Sequence, residues 1–493
     1  MKPNFKIIFK YFTVLHLMLV LVGCSPVGPN YTTPDISLPT KWHSNLEKGL
    51  TDEQTDPQIL SSWWKTLDDP QLSSLIERAI AGNLDLQDAY WRLYQSRATR
   101  GIAKADMFPS LDFSGKHTWT RSSGQTGSSE TTDLYSTGFD AGWEIDLFGG
   151  IRRSIEAANA DFQATGEDLR DVLVTLLSEV ALNYIEVRSY QAQLQAVNEN
   201  LDAQQQTFQI VDWQSQADLI DELAVQQARY NLESTRSQIP DLYTGLEEAM
   251  NRIAVLLGEP PGEVHEELNQ IKPIPVLPVN IAIGVPADMI RRRPDVRKAE
   301  RQLAAQTARV GVATAELYPK FTLSGSIGLE AVSFHKLANN STTANNWALS
   351  GGPRISWAIF DAGAIRQNIR VQSALQEQSL IEYESAILNA IEEVENALVA
   401  YTNEQYKNNN LKNAAEAAQK AAQLAQQKYE AGLTDFSDVL EAQRSQLSFE
   451  SQLVQSDGVV TSNLIRLYKV LGGGWSSLAD EDNVELSGEN NEK

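Results

Sequence analysis

The chain has 493 residues, 42% of them hydrophobic, and a formal net charge of −23. That length holds two or three ordinary domains, and that apolar content is enough to bury a core, which excludes wholesale disorder. So acidic a chain has nothing to neutralise a phosphate backbone, which excludes nucleic acid as a partner and suggests a cation-tolerant or cation-selective surface.

The chain opens with Lys2, Lys6 and Lys10, then an apolar run over 11–22 that ends in Leu21-Val22-Gly23-Cys24. This pattern reads as a bacterial signal peptide, residues 1–23, with a lipoprotein cleavage box; an ordinary secretory signal that happens to contain Cys is the alternative. Cys24 is the sole cysteine, so no intramolecular disulfide can form. In a lipoprotein Cys24 becomes the lipidated first residue, and Ser25 after it suits the outer membrane.

Ser25-Pro26-Val27-Gly28-Pro29-Asn30-Tyr31, Pro34, Pro39 and Trp42 read as an extended arm lying on a surface. A short helix follows Asp69-Pro70, with Leu72, Leu75, Ile76 and Ala79 on one face, and a second over 83–107 is ended by Pro109. From Ser110 the period drops to two. Leu111, Phe113 and Trp119 alternate with Asp112, Ser114 and Lys116, and after a Gly/Ser/Thr-rich loop Tyr135, Phe139, Trp143 and Ile145 alternate with Ser136, Asp140 and Glu144. Aromatics on one face and charges on the other fit a membrane β-strand or half of a soluble sandwich. A long helix over 151–216, a turn at Ala217-Asp218-Leu219, a helix over 221–257 kinked at Pro240, and a Pro-rich connector over 258–278 come next.

The pattern then restarts. A helix over 294–317 ends at Tyr318-Pro319. Phe321, Leu323, Ile327 and Leu329 alternate with Thr322, Ser324 and Ser326, and Trp347, Leu349, Ile355 and Trp357 alternate with Ser350, Arg354 and Ser356. Residues 364–431 contain neither Pro nor Gly and form the longest helix, about 100 Å at 1.5 Å per residue. Glu392, Glu393, Glu395 and Asn408 make it too polar for lipid, so it needs partner helices along its length. A turn at Gly432 leads into a last helix over 436–471, and the acidic tail is expected to be disordered.

Trp143 and Trp357, Arg152 and Arg366, Leu219 and Leu433, Val225 and Val439, and Gly258 and Gly472 all stand 214 apart, whereas Pro109 and Pro319 stand 210 apart. The chain is thus a duplication whose four-residue difference falls inside the hairpin loops. Each repeat reads helix, two strands, long helix, turn, shorter helix. Four strands cannot close a membrane barrel, and lipid does not tolerate unpaired edges. A dimer gives eight strands and a plugged barrel, a trimer twelve and a passage, so a trimer is expected.

This frame resembles the outer membrane factor family, the TolC-like exit ducts of bacterial tripartite efflux pumps, and within it the NodT- or OprM-like lipoprotein branch that serves resistance-nodulation-division pumps. The words that carry the resemblance are Cys24 with Val27-Gly28-Pro29 and Tyr31; Trp64, Leu67 and Asp69-Pro70; Arg292-Arg293-Pro294-Asp295-Val296 with Ala299-Glu300; and Gly432-Leu433 with Asp438-Val439-Leu440 and Ala442. The resemblance implies a mixed, mainly α fold: a long antiparallel α-helical barrel in the periplasm joined to a transmembrane β-barrel made by trimerisation, four strands from each chain. The domains it implies are an N-terminal arm with an equatorial helix (24–82), the helix of repeat 1 (83–109), an outer membrane hairpin (110–148) and a periplasmic helical hairpin (149–258). A connector with a second equatorial helix (259–293), the helix of repeat 2 (294–319), its hairpin (320–362), its helical hairpin (363–472) and the tail (473–493) complete them. It also implies partners: two further copies in a homotrimer, a periplasmic adaptor, an inner-membrane pump, and outer membrane lipid on Cys24.

The resemblance places a periplasmic gate at Asp438 and Glu441, three apart on one helix face, with Tyr429 as a tip aromatic; a solvated helix face is the other reading of the two acids. Thr434 replaces a TolC-like tip arginine, and the first repeat has Ala224 and Gln227 where the second has the acids. Adaptor docking falls on Leu219, Gly432 and Leu433, although Leu433 could instead pack onto its own helix pair. No enzyme chemistry is legible: the five histidines lack metal-ligand spacing, Gly115-Lys116 lacks the upstream glycine of a phosphate loop, and Asp68-Asp69 and Glu392-Glu393 read as solvated surface, so no cofactor is expected. Type I secretion and a pore-free, lipid-anchored coiled-coil protein are the competing functions.

Overall fold

A computed structural model describes residues 25–53, 56–125, 131–275, 281–339 and 346–475. Cys24, the signal segment before it and the tail from 476 onward lie outside the described residues. The chain first forms β1 (Leu50–Thr51), α1 (Pro57–Ser61), a 3-10 turn (Trp63–Leu67), α2 (Pro70–Gly82) and α3 (Leu84–Ala105). Strands β2 (Ser110–Arg121) and β3 (Thr131–Ile145) lead into α4 (Gly150–Gln216), α5 (Glu222–Arg236) and α6 (Ile239–Leu256). A connector with α7 (His265–Leu268) and β4 (Ile281–Ala282) precedes α8 (Pro286–Arg292) and α9 (Pro294–Ala315). The chain ends with β5 (Lys320–Ala331), α10 (Phe334–Asn339), β6 (Trp347–Ser356), α11 (Ala364–Glu430) and α12 (Phe436–Val470).

Two differences from the sequence reading have clear causes. The helix expected over 221–257 is two helices, because Pro240 has no N–H to give and its ring clashes with the carbonyl of Arg236, where α5 stops. Asp69 and Glu393 are not idle surface. Asp69 caps α2 by accepting from the Gln71 and Leu72 amides and also receives the Tyr184 hydroxyl at 2.5 Å, while Glu393 pairs with Arg293 at 2.6 Å. Among the described residues no helix is long and apolar enough to cross a membrane.

The duplication extends to backbone angles. Gly149 and Gly363, Asp218 and Gly432, and Gly258 and Gly472 each stand 214 apart, and all six have positive φ.

The chain divides into two compact units. One holds the arm up to Asp35, Arg92–Thr165 and Lys298–Glu384. Its sheet is antiparallel with strand order β2-β3-β5-β6, so that the hairpins of the two repeats pair through β3 and β5. Register keeps side-chain parity across all four strands. Phe113, Phe139, Ile327 and Leu349 form one continuous apolar row, and the adjacent row, on the opposite face, is Asp112, Asp140, Ser326 and Ser350. The apolar face is exposed at Leu111, Phe113, Phe139, Leu349 and Ile355. Tyr135 and Trp143 on that face are eight residues apart, about 27 Å of strand, close to the roughly 25 Å apolar band of a membrane barrel flanked by aromatics. Among the described residues β2 and β6 each have one unpaired edge. The arm is fixed in the same unit. Buried Arg153 donates to the carbonyls of Val27 and Gly28 and to Asn30 Oδ1, and the Val27 amide donates to Phe148 O at 3.0 Å. Gly28, at φ 87°, lies so near Gly311 that a Cβ would stand 2.5 Å from its Cα. Tyr31 donates to Glu300 at 2.9 Å, and burial pushes its phenol up to about 12.

The other unit holds Ile36–Trp91, Gly166–Arg297 and the chain from Ser385. Its core gathers Trp63, Leu72, Leu75, Ile76, Leu173, Leu177, Met250 and Ile253. Burying each aliphatic side chain contributes about 1.5–3 kcal/mol before the entropy of ordering is subtracted. The Trp63 ring stacks on Tyr468, 5.5 Å between centroids. β1 and β4 form a two-residue parallel pair. Glu395 holds the strap that leads to β1, accepting from the His43 amide at 2.6 Å and from the Ser44 amide and hydroxyl at 3.0 and 2.5 Å.

The paired helical turns

Both long helices end in the same capped turn. At the end of α4 the Leu219 amide reaches back to Gln214 O and the Asp218 amide to Ser215 O, both at 2.9 Å. At the end of α11 the Leu433 amide reaches Lys428 O at 2.8 Å and the Gly432 amide Tyr429 O at 2.9 Å. This pair of bonds defines the Schellman cap, whose penultimate residue must be left-handed. Glycine meets that demand without strain at 432, with φ 70°, whereas Asp218 meets it at φ 54°. The two turns present Leu219 and Leu433 to solvent, 73% and 75% exposed. Leu433 therefore does not pack onto its own helix pair.

Behind the turns lies a small core of Val211, Val225, Ala228, Phe436, Val439 and Leu440, with Tyr429 and Ala224 packed against it. Two of its members, Val225 and Val439, are repeat equivalents. Tyr429 belongs to this core: its ring lies 5.4 Å from Phe436, and its hydroxyl donates to Gln214 Oε1 at 2.8 Å, which ties the end of α11 to the end of α4. Burial raises its phenol above the usual value.

Asp438 and Glu441 are brought together on the exposed side of α12, off the packed face that holds Val439 and Leu440. Asp438 sits in the first turn of the helix, where the positive end of the helix dipole favours a carboxylate, and it accepts the Thr434 hydroxyl. Glu441 is 74% exposed, with Arg444 Nη1 3.9 Å from its carboxylate. At that distance and exposure the pair is worth well under ~1 kcal/mol.

Arg444 escaped the sequence reading. Its guanidinium stacks 5.0 Å from the Tyr230 ring centroid, donates to the Tyr230 hydroxyl and donates to Asn231 Oδ1 at 2.9 Å. Residues 230 and 444 are 214 apart, so the cation meets its own repeat equivalent. The offset was the available signal: a position occupied by an aromatic in one repeat and an arginine in the other is a ready cation–π pair. Among the described residues no group of three or more His, Cys, Asp or Glu could hold a metal ion.

The chain matches the family model described as outer membrane efflux protein twice, over residues 75–259 and 285–473. The two matches start 210 and end 214 positions apart, which are the two offsets of the internal duplication. It is 34% identical to nodulation protein T of Rhizobium leguminosarum bv. trifolii over 96% of this chain and 99% of the relative. It is 32% identical to the cation efflux system protein CusC of an Escherichia coli strain, over 93% and 97%. Among solved structures the outer-membrane channel OprN superposes with a TM-score of 0.85 at 35% identity, covering 91% of this chain and 99% of that one. Sequence, duplication and fold agree: the chain belongs to the outer membrane efflux protein family and is an outer membrane efflux channel.

Proposed function

We propose that three copies of the chain close a twelve-stranded barrel in the outer membrane and together form the passive exit duct of a tripartite pump. The observation that carries this is the four-stranded sheet, with one continuous apolar face and an open edge on each side. A sheet like this is stable in lipid only when β6 of one copy pairs with β2 of the next. The helical turns form the closing end, where Asp438 and Glu441 from three copies crowd like charges around one axis. That arrangement favours opening or counter-ion capture. Exposed Leu219 and Leu433, with Gly432 setting the turn, form the adaptor's docking points. Cys24 carries the lipid, and the arm that follows it is pinned from Val27 to Asn30 in the unit that contains the sheet. The duct performs no chemistry of its own, and its cargo is chosen by the inner-membrane pump. Relatives named for nodulation and for cation efflux match 96% and 93% of this chain at similar identity, which supports a duct indifferent to its load.

Planar-bilayer recording of the purified oligomer tests the reading. A stable pore whose conductance or cation preference changes in Asp438→Ala with Glu441→Ala is expected. Absence of any pore would overturn the duct, and an unchanged trace in the double variant would remove the gate. Loss of lipid labelling in Cys24→Ser tests the anchor separately.

A further inference from the structure

The two ends of the apolar sheet face differ in charge. At the helix end this face carries Trp143, Ile145, Phe321, Ile355 and Trp357, with no cation among them. At the hairpin end, parity places Arg121 on the same face as Trp119, and β2 ends there. Helix α10 lies against β3 and β5 at that end. Its Phe334 ring is 6.1 Å from Tyr135, and Lys336 follows two residues later. Arg121 and Lys336 are both exposed, and neither side chain makes an ion pair or hydrogen bond with any described residue. Of the described carboxylates at this end, Glu330 lies on the opposite face, and Asp133, on the same face, is held by His117 Nε2 at 2.9 Å while the His117 ring stacks on Tyr135 at 4.2 Å. Trp119, Phe334 and Trp347 are exposed at the same end of the sheet, Trp119 two residues from Arg121 and Phe334 two from Lys336. Unpaired cations beside exposed aromatics at one lipid boundary are what anionic headgroups select.

We propose that Arg121 and Lys336, set among Trp119, Phe334 and Trp347, bind the phosphates of a phosphorylated lipid in the outer leaflet. The aromatic rings take the upper acyl carbons and the two cations take the headgroup. The proposal rests on the sheet facing lipid, and its test separates the two. The oligomer is assembled into phosphatidylcholine nanodiscs doped with diphosphoryl lipid A, and the lipid retained after extraction is counted by native mass spectrometry. Parallel arms use dephosphorylated lipid A, phosphatidylglycerol and an excess of inorganic phosphate. Wild type is expected to enrich diphosphoryl lipid A over the bulk by about five-fold per cation. R121Q/K336Q should lose that enrichment, whereas K116Q, which alters a cation on the opposite face, should keep it. Equal enrichment in wild type and the double variant, equal enrichment of dephosphorylated lipid A, or full displacement by inorganic phosphate each overturns the proposal. Preference for phosphatidylglycerol equal to that for lipid A also overturns it, because two phosphates would then be no better than one. Failure to enter nanodiscs at all would instead strike at the lipid-facing sheet.

Discussion

Trp143 and Trp357 stand 214 positions apart, and each donates its indole N–H to a backbone carbonyl two residues before a proline, Met107 at 2.9 Å and Leu317 at 3.0 Å. Neither carbonyl can be used by a continuing helix, because Pro109 and Pro319 end α3 and α9. The indoles fill that role, and they fix the angle at which each helix gives way to its strand. Trp143→Phe and Trp357→Phe should each lower stability by about 0.5–1.5 kcal/mol in denaturant titrations, since an aromatic ring is kept and one exposed hydrogen bond is lost. An effect in one repeat and none in the other would mean that the two bonds are not equivalent.

The caps at the helical turns make opposite predictions for two repeat-equivalent residues. Asp218→Gly should stabilise the protein by up to about 1 kcal/mol, because a left-handed residue loses its steric cost. Gly432→Ala should destabilise it by about 1–2 kcal/mol. Thermal unfolding reads both, and the same sign for the pair would contradict the shared cap geometry.

Arg444 joins α12 to α5 through Tyr230 and Asn231. Arg444→Lys keeps the charge but loses the stacked, forked donor, so it should weaken the clasp almost as much as Arg444→Ala. The expected readout is a longer open dwell time in planar bilayers for both variants. Full retention by lysine would reduce the contact to simple charge.

Glu395 gives a pH signature. Burial alone would raise its carboxyl, but the hydrogen bonds from Ser44 and the His43 amide outweigh burial and lower it. A depressed carboxylate contributes stability above its unfolded value of about 4.3, and that stability is lost as pH falls through the folded value. Protection of the His43 and Ser44 amides against exchange, relative to their intrinsic rates at each pH, should therefore fall as pH drops below the unfolded carboxyl value, and Glu395→Gln should remove that dependence. Protection unchanged through the acid range in wild type would contradict the clamp.

Gly28→Ala should free the arm. Its Cβ would meet Gly311 backbone at 2.5 Å, and φ 87° is hostile to any side chain. Limited proteolysis should cut the variant between Ser25 and Asp35 while leaving the sheet intact.

The strands were legible because alternation survives pairing: register carried odd residues to odd residues through four strands, so faces read from one strand held for all. The long helices were legible because α11 holds no Pro or Gly and α4 holds only Gly166 in its interior, too little to break it. The acids at 438 and 441 were located by resemblance, and their exposure on one side of α12 follows from the apolar spacing of Phe436, Val439 and Leu440. Other features had no local signal. β1 and β4 are two residues each and lie 231 positions apart, too short for any period to register. Helix α10 lies in a loop whose composition argues against helix, and it is held by Phe334 against Tyr135. Asp69 and Glu393 looked like surface because their partners, Tyr184 and Arg293, are more than 100 and exactly one hundred positions away.

The open edges of β2 and β6 matter most before assembly. A lone copy carries a strand edge with no partner at β2 and at β6 and an oily sheet face with no lipid against it. That is the condition in which β-chains clump, so on the proposed three-copy barrel the dangerous stage is the one before the strands find their partners. The strand count thus sets the demand for protected edges ahead of assembly, not after it.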